Sequence, residues 1–128
     1  MEFLSQFKQT TSKLVIKDAK GKPSGLTIDL QAIDSEPVNA VRREIQSENL
    51  ELSKDDFTPE KQEVDNRRIY AAAIVDWTWA KGLTLNGTEN PDCDDTNKLA
   101  ILKTPYVFKQ IDRFLAKDEN FLQGSQDT

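Results

Sequence analysis

The stretch AAAIVDWTWAKGLTLNG, residues 71–87, decides how this chain is read. Upstream the sequence is polar and acidic. Here it turns apolar, and both of the chain's tryptophans, Trp77 and Trp79, stand two residues apart. Just before it lies FTPEKQEVDNRRIY, which opens with Thr58 as an N-cap, Pro59 at the first helical position and Glu60 in the first turn. These are three agreeing start signals for a helix. Tyr70, Ile74 and Trp77 then fall on one helical stripe. The pattern predicts a single long helix running to Trp77 or Trp79 and stopping near Gly82. On such a helix residues 77 and 79 lie about 200° apart and point to different sides. Trp77 is then expected in the core. Trp79, off the stripe, can either cover a second element or meet a partner, since tryptophan is favoured in interface hot spots.

Working toward the N-terminus, KLVIKDAKGKPSGLTIDLQAI shows two alternating runs around a Gly/Pro-rich turn. Leu14 and Ile16 make the first, and Leu26, Ile28 and Leu30 the second. This is the pattern of a β-hairpin, here over residues 12–34. If its strands have only each other to pair with, at least one edge is open, and an open edge must be charged, covered or used. Lys13 and Lys17 blunt the first strand; Asp29 does less for the second. The second strand, Leu26 to Leu30, is therefore expected to serve self-association or a partner. Ser35 and Pro37 then start a short amphipathic helix over residues 35–50, with Val38, Val41 and Ile45 on its apolar stripe and Ser35 as its side-chain cap.

Toward the C-terminus, LNGTENP reads as a loop. Asp92, Asp94, Asp95 and Thr96 offer caps for the helix NKLAILKT, and Pro105 ends that helix or starts the next. Val107, Ile111, Phe114 and Leu115 give the last helix its apolar face. Residues 1–11 and 123–128, with the tail GSQDT, are expected to be flexible. The whole is one α+β domain, residues 1–128: an N-terminal β-hairpin packed on a mainly helical part of about four helices, three of them within 57–122.

Length and charge agree with that. A chain of 128 residues removes about two-thirds of its unfolded surface from water. The net charge of −5 disfavours nucleic acid and anionic membrane as partners. One cysteine, Cys93, allows no internal disulfide. There is no secretory signal and no apolar run long enough for a bilayer, so a cytoplasmic, soluble protein is expected.

The chemistry of catalysis is thin. With no histidine, Ser-His-Asp and Cys-His catalysis and histidine metal ligation are all removed. Cys93 has no base to activate it. GKPSG lacks the form of a phosphate loop. Read as a calcium loop from Asp92, the sixth position is Asn97, where glycine is needed, and the twelfth is Lys103, where an acid is needed. No catalytic residue, cofactor or metal is expected, and the aspartates are read as helix caps.

In order and spacing these parts resemble the tail assembly chaperones of long-tailed bacteriophages, small proteins encoded near the tape measure protein. The resemblance rests on the hairpin DAKGKPSGLTIDLQAIDS, the helix EPVNAVRREI, the segment AAIVDWTW and the closing TNKLAILKTPYVFKQIDRFLAKDENFL, together roughly residues 12–122. The turn glycine, Gly82, stands later after the first tryptophan than the family pattern has it. The resemblance implies a non-enzymatic role. Such proteins bind the tape measure protein, help recruit tail tube subunits in the host bacterial cytoplasm, and are absent from the mature virion. Alternatives are a tail-completion or connector subunit retained in the particle, and a regulatory interaction domain. The expected partner-binding residues are Trp79, Leu83 and Leu85 as one apolar contact, and Leu26, Ile28 and Leu30 on the second strand as another.

Overall fold

The computed structural model describes residues 2–122. The expected hairpin is present: β1 (Ser12–Lys17) pairs antiparallel with β2 (Pro23–Leu30). Alternation sets its two faces. Ser12 and Ile16 are buried on β1, and Leu26, Ile28 and Leu30 on β2, while Lys13 and Asp29 pair at 2.8 Å on the outer face. Helix α1 (Glu36–Leu50) follows, with Val38 and Ile45 buried. Ser35 occupies its N-cap position, but its hydroxyl makes no cap hydrogen bond. Pro37 at the second helical position has no amide to offer it.

Helix α2 begins as expected: Pro59 is its first residue and the Thr58 hydroxyl accepts from the Lys61 amide at 3.1 Å. It does not run to the tryptophans. It ends at Ala73, and Ile74–Trp79 is a strand, β3, completing a three-stranded sheet of order β1-β2-β3. Two causes act together. Ile74, Val75, Trp77, Thr78 and Trp79 are β-branched or aromatic, residues that fit a pleated, half-buried surface better than a helix. The last carbonyls of α2, which every helix leaves unpaired, are taken by Gln31: its amide donates to Ala73 at 2.8 Å and its Nε2 to Ala72 at 2.9 Å. The chain thus leaves the helix beside the end of β2 and continues along it.

This corrects the expectation for the second strand. β2 is central, bonded to β1 on one side and β3 on the other, with Ile28 opposite Trp77 and Leu26 opposite Trp79. It has no open edge for self-association or a partner. Its register with β3 shifts at Val75, where Leu30 pairs with Ile74 but Asp29 with Asp76. That bulge turns the strand, so that Ile74 and Trp77, three residues apart, are both buried on the inner face.

The remaining elements cover that inner face. A two-residue hairpin, β4 (Thr84–Leu85) and β5 (Thr88–Glu89), leads to α3 (Asp95–Leu102) and α4 (Pro105–Leu115). Pro105 starts the last helix. The core lies between the sheet and the helices, with Ile28, Leu30, Val38, Ile74, Ile111 and Phe121 its fully buried large side chains. Arg68 of α2 holds Glu48 of α1 with both guanidinium nitrogens, at 2.9 and 2.8 Å. Near the N-terminus, Gln9 bridges to Leu122 and the Thr10 amide donates to Phe121 at 2.7 Å. The expected flexible tail, residues 123–128, lies outside the described residues.

Candidate functional site

Trp79 lies in the wall of a surface groove of about 450 Å³. One side of the groove is the open end of the sheet, with Ile16, Leu26 and Trp79. Leu83 and Leu85 form a second side, and the corner between α3 and α4, with Ala100, Ile101 and Val107, forms the third. Its size is that of an ordinary ligand or peptide pocket, and its surface is largely apolar.

Local sequence explains how these side chains converge. On a strand, residues two apart face the same way, so Trp77 and Trp79 share the inner face instead of opposing each other. Their rings meet edge to face, 5.5 Å between centroids and 84° between planes. Trp77 is the buried member, 8% exposed, and its Nε1–H donates to the Pro91 carbonyl at 2.9 Å. Trp79 is half-buried. Its Nε1 is shielded from solvent yet has no hydrogen-bond partner. A buried donor left in that state costs about 1–3 kcal/mol.

Leu83 reaches the groove because residue 25 has no side chain. Gly25 has φ +102°, and a Cβ there would stand 3.0 Å from both Ala80 Cβ and Leu83 Cδ2. The Ala80 amide, donating to the Gly25 carbonyl at 2.8 Å, closes the same corner. Leu85 is presented by the β4–β5 turn, whose central residues are Asn86 (φ 51°) and Gly87 (φ 85°). Asn-Gly is the pair that a two-residue hairpin turn with positive φ at both positions prefers.

Of the six residues expected to meet a partner, four line this groove: Leu26, Trp79, Leu83 and Leu85. Ile28 and Leu30 do not. Both are 0% exposed in the centre of the sheet and cannot touch a partner while the chain is folded. The contribution of the α3–α4 corner and of Ile16 was not expected from the sequence. The Asn86-Gly87 pair between Leu85 and Thr88 is a hairpin signal, and it would have placed Leu85 on a strand.

The acidic stretch behaves as capping. Asp94 is the N-cap of α3, its carboxylate accepting from the Asn97 amide at 2.9 Å, and Asn97 Nδ2 donates back to the Asp92 carbonyl at 2.9 Å. Among the described residues no group of three or more Asp, Glu, Cys or His side chains is placed to hold a metal ion. Cys93 is half-buried, and burial pushes its thiol pKa up, which favours the unreactive protonated form. No helix among the described residues is long and apolar enough to cross a membrane. Comparison with family models, with curated proteins and with solved structures finds no match to the chain.

Proposed function

We propose that this chain is a non-enzymatic protein-binding domain that acts as a phage tail assembly chaperone, covering apolar segments of the tape measure protein during assembly in the host cytoplasm. The observation that carries the reading is the open, largely apolar groove between Trp79, Leu83, Leu85 and the α3–α4 corner. An apolar hollow at the surface of a small acidic domain suits repeated, releasable contact with aggregation-prone helices. Low affinity at each copy, summed over many copies, gives avidity and still permits release. The partner itself comes from the resemblance in order and spacing described above. Recruitment of tail tube subunits belongs to the same proposal. The half-buried, high-pKa state of Cys93 and the absence of histidine support a role without catalysis.

Co-expression with a fragment of the tape measure protein from the same phage tests this. The wild-type chain keeps the fragment soluble. A Trp79→Ala/Leu83→Asp double variant, checked for folding by circular dichroism, does not. A folded variant that solubilises as well as wild type refutes the groove. Failure of the wild type, or recovery of the chain from purified particles, refutes the chaperone assignment.

A further inference from the structure

At Tyr106 the apolar groove passes into a second hollow of different character. It is lined by Lys17, Pro105, Tyr106, Lys109, Gln110 and Arg113, and Lys17 and Tyr106 also line the first. Among the described residues no carboxylate lines it. The three cations converge because β1 is clamped to α4. The Lys17 amide donates to Gln110 Oε1 at 2.8 Å, and Gln110 Nε2 donates to the Lys17 carbonyl at 2.9 Å. Tyr106 Oη donates to the Asp18 carbonyl at 3.1 Å and holds the β1–β2 turn against the same helix.

Lys17, Lys109 and Arg113 have no ion-pair partner within 4.0 Å among the described residues, in contrast to Lys13, Arg43, Lys61 and Arg68. The nearby acids are engaged elsewhere. Asp18 accepts from the amides of Lys20 and Lys22, and Asp112 accepts from the Tyr70 hydroxyl. On a chain of net charge −5, three cations lining one hollow form a local positive field against the overall sign.

We propose that the segment bound here has a defined polarity: apolar side chains enter between Trp79, Leu83 and Val107, and acidic residues at one end of the same segment pass Tyr106 to meet Lys17, Lys109 and Arg113. The inference rests on the groove as the partner site and adds the occupant's charge and direction. A protein segment is favoured over nucleic acid because the cations adjoin an apolar groove and the chain as a whole is acidic.

Two labelled amphipathic peptides with the same apolar stripe, one ending in glutamates and the other in lysines, test it by fluorescence anisotropy against the full chain. The glutamate-ended peptide binds about tenfold more tightly at low salt, and high salt narrows the gap. A Lys109→Glu/Arg113→Glu variant, altered only at exposed positions, abolishes the preference and leaves the lysine-ended peptide bound at least as well. Trp79→Ala weakens both peptides. Equal binding of the two peptides, a preference that survives the charge reversal, or binding of neither overturns the proposal. So does an oligonucleotide that binds more tightly than either peptide and depends on the same cations. The acidic preference can hold even where the tape measure fragment is not solubilised, in which case the chaperone assignment fails and the groove's chemistry stands.

Discussion

Replacing Trp77 by alanine isolates what the third strand contributes. The indole is 8% exposed, faces Ile28 across the β2–β3 ladder and packs edge to face on Trp79. Burying an aromatic side chain of this class removes about 150–250 Å² from water. At about 25 cal/mol per Å² that is worth about 4–6 kcal/mol, an upper bound because the unfolded chain already hides part of that surface. The substitution also strips the Pro91 carbonyl, itself buried, of the donor that reaches it at 2.9 Å. Partial collapse of the cavity offsets some of both losses. The net expectation is about 3–5 kcal/mol, a large share of the roughly 5–15 kcal/mol that holds a domain of this size together. Trp77→Phe keeps most of the apolar area and loses the N–H donor, so it costs less, about 1–3 kcal/mol. Urea melts followed by circular dichroism measure both, read as a shift in midpoint at constant slope. A loss below about 1 kcal/mol for Trp77→Ala, the size of an ordinary surface change, refutes the argument that this side chain closes the core.

Three further outcomes are expected. Gly25→Ala costs about 1–3 kcal/mol, because the new Cβ meets Ala80 and Leu83 at 3.0 Å in a backbone with φ +102°; a melt unchanged from wild type contradicts the close approach. Burial, with the hydrogen bond to Asp112 second, raises the Tyr70 pKa from 10.0 to about 12, so its contribution to stability is complete below pH 10 and is lost as pH rises toward 12. Ultraviolet titration should show a late-ionising tyrosine that disappears in Tyr70→Phe; a late phase that survives the substitution contradicts the assignment. Asp94→Ala removes the α3 cap and lowers stability by about 0.5–2 kcal/mol, and excess chelator leaves the thermal midpoint of the wild type unchanged. A midpoint that falls with chelator and recovers with calcium or zinc overturns the capping role.

Several elements were legible in the sequence because their signals are local. Alternation about DAKGKPSG marked the hairpin, Thr58-Pro59 marked the start of α2, and Pro105 marked a boundary between the last two helices, which the structure resolves as the start of α4. Each is a matter of a few neighbouring residues and of which backbone groups they can satisfy. The stretch that holds both tryptophans carries a helical pattern for an equally physical reason. The bulge at Val75 places Ile74 and Trp77 on one face at a spacing of three, the same spacing a helix gives. Extending the Tyr70–Ile74 step onto Trp77 therefore followed a true apolar pattern in the wrong geometry. The candidate site divided the same way. Trp79 stood out by its place off the apolar stripe and by tryptophan's preference for interfaces, Leu83 and Leu85 by lying in the loop that follows it, and the structure gathers them with Leu26 at one groove.

Ile28 and Leu30 looked like an available strand face only because nothing local tells a chain that another strand will take its free edge. By itself the sequence determined an α+β domain with its hairpin, its helix starts and its lack of histidine. Tertiary structure decided that residues 74–79 pair with residues 26–30, that β2 is central, that the α3–α4 corner stands beside Trp79, and that Lys17, Lys109 and Arg113 line the adjoining hollow. Those arrangements depend on segments brought together from far apart in the chain. Their stabilisation comes from burying Trp77 and completing the β2 ladder, and neither exists until the sheet and the helices meet.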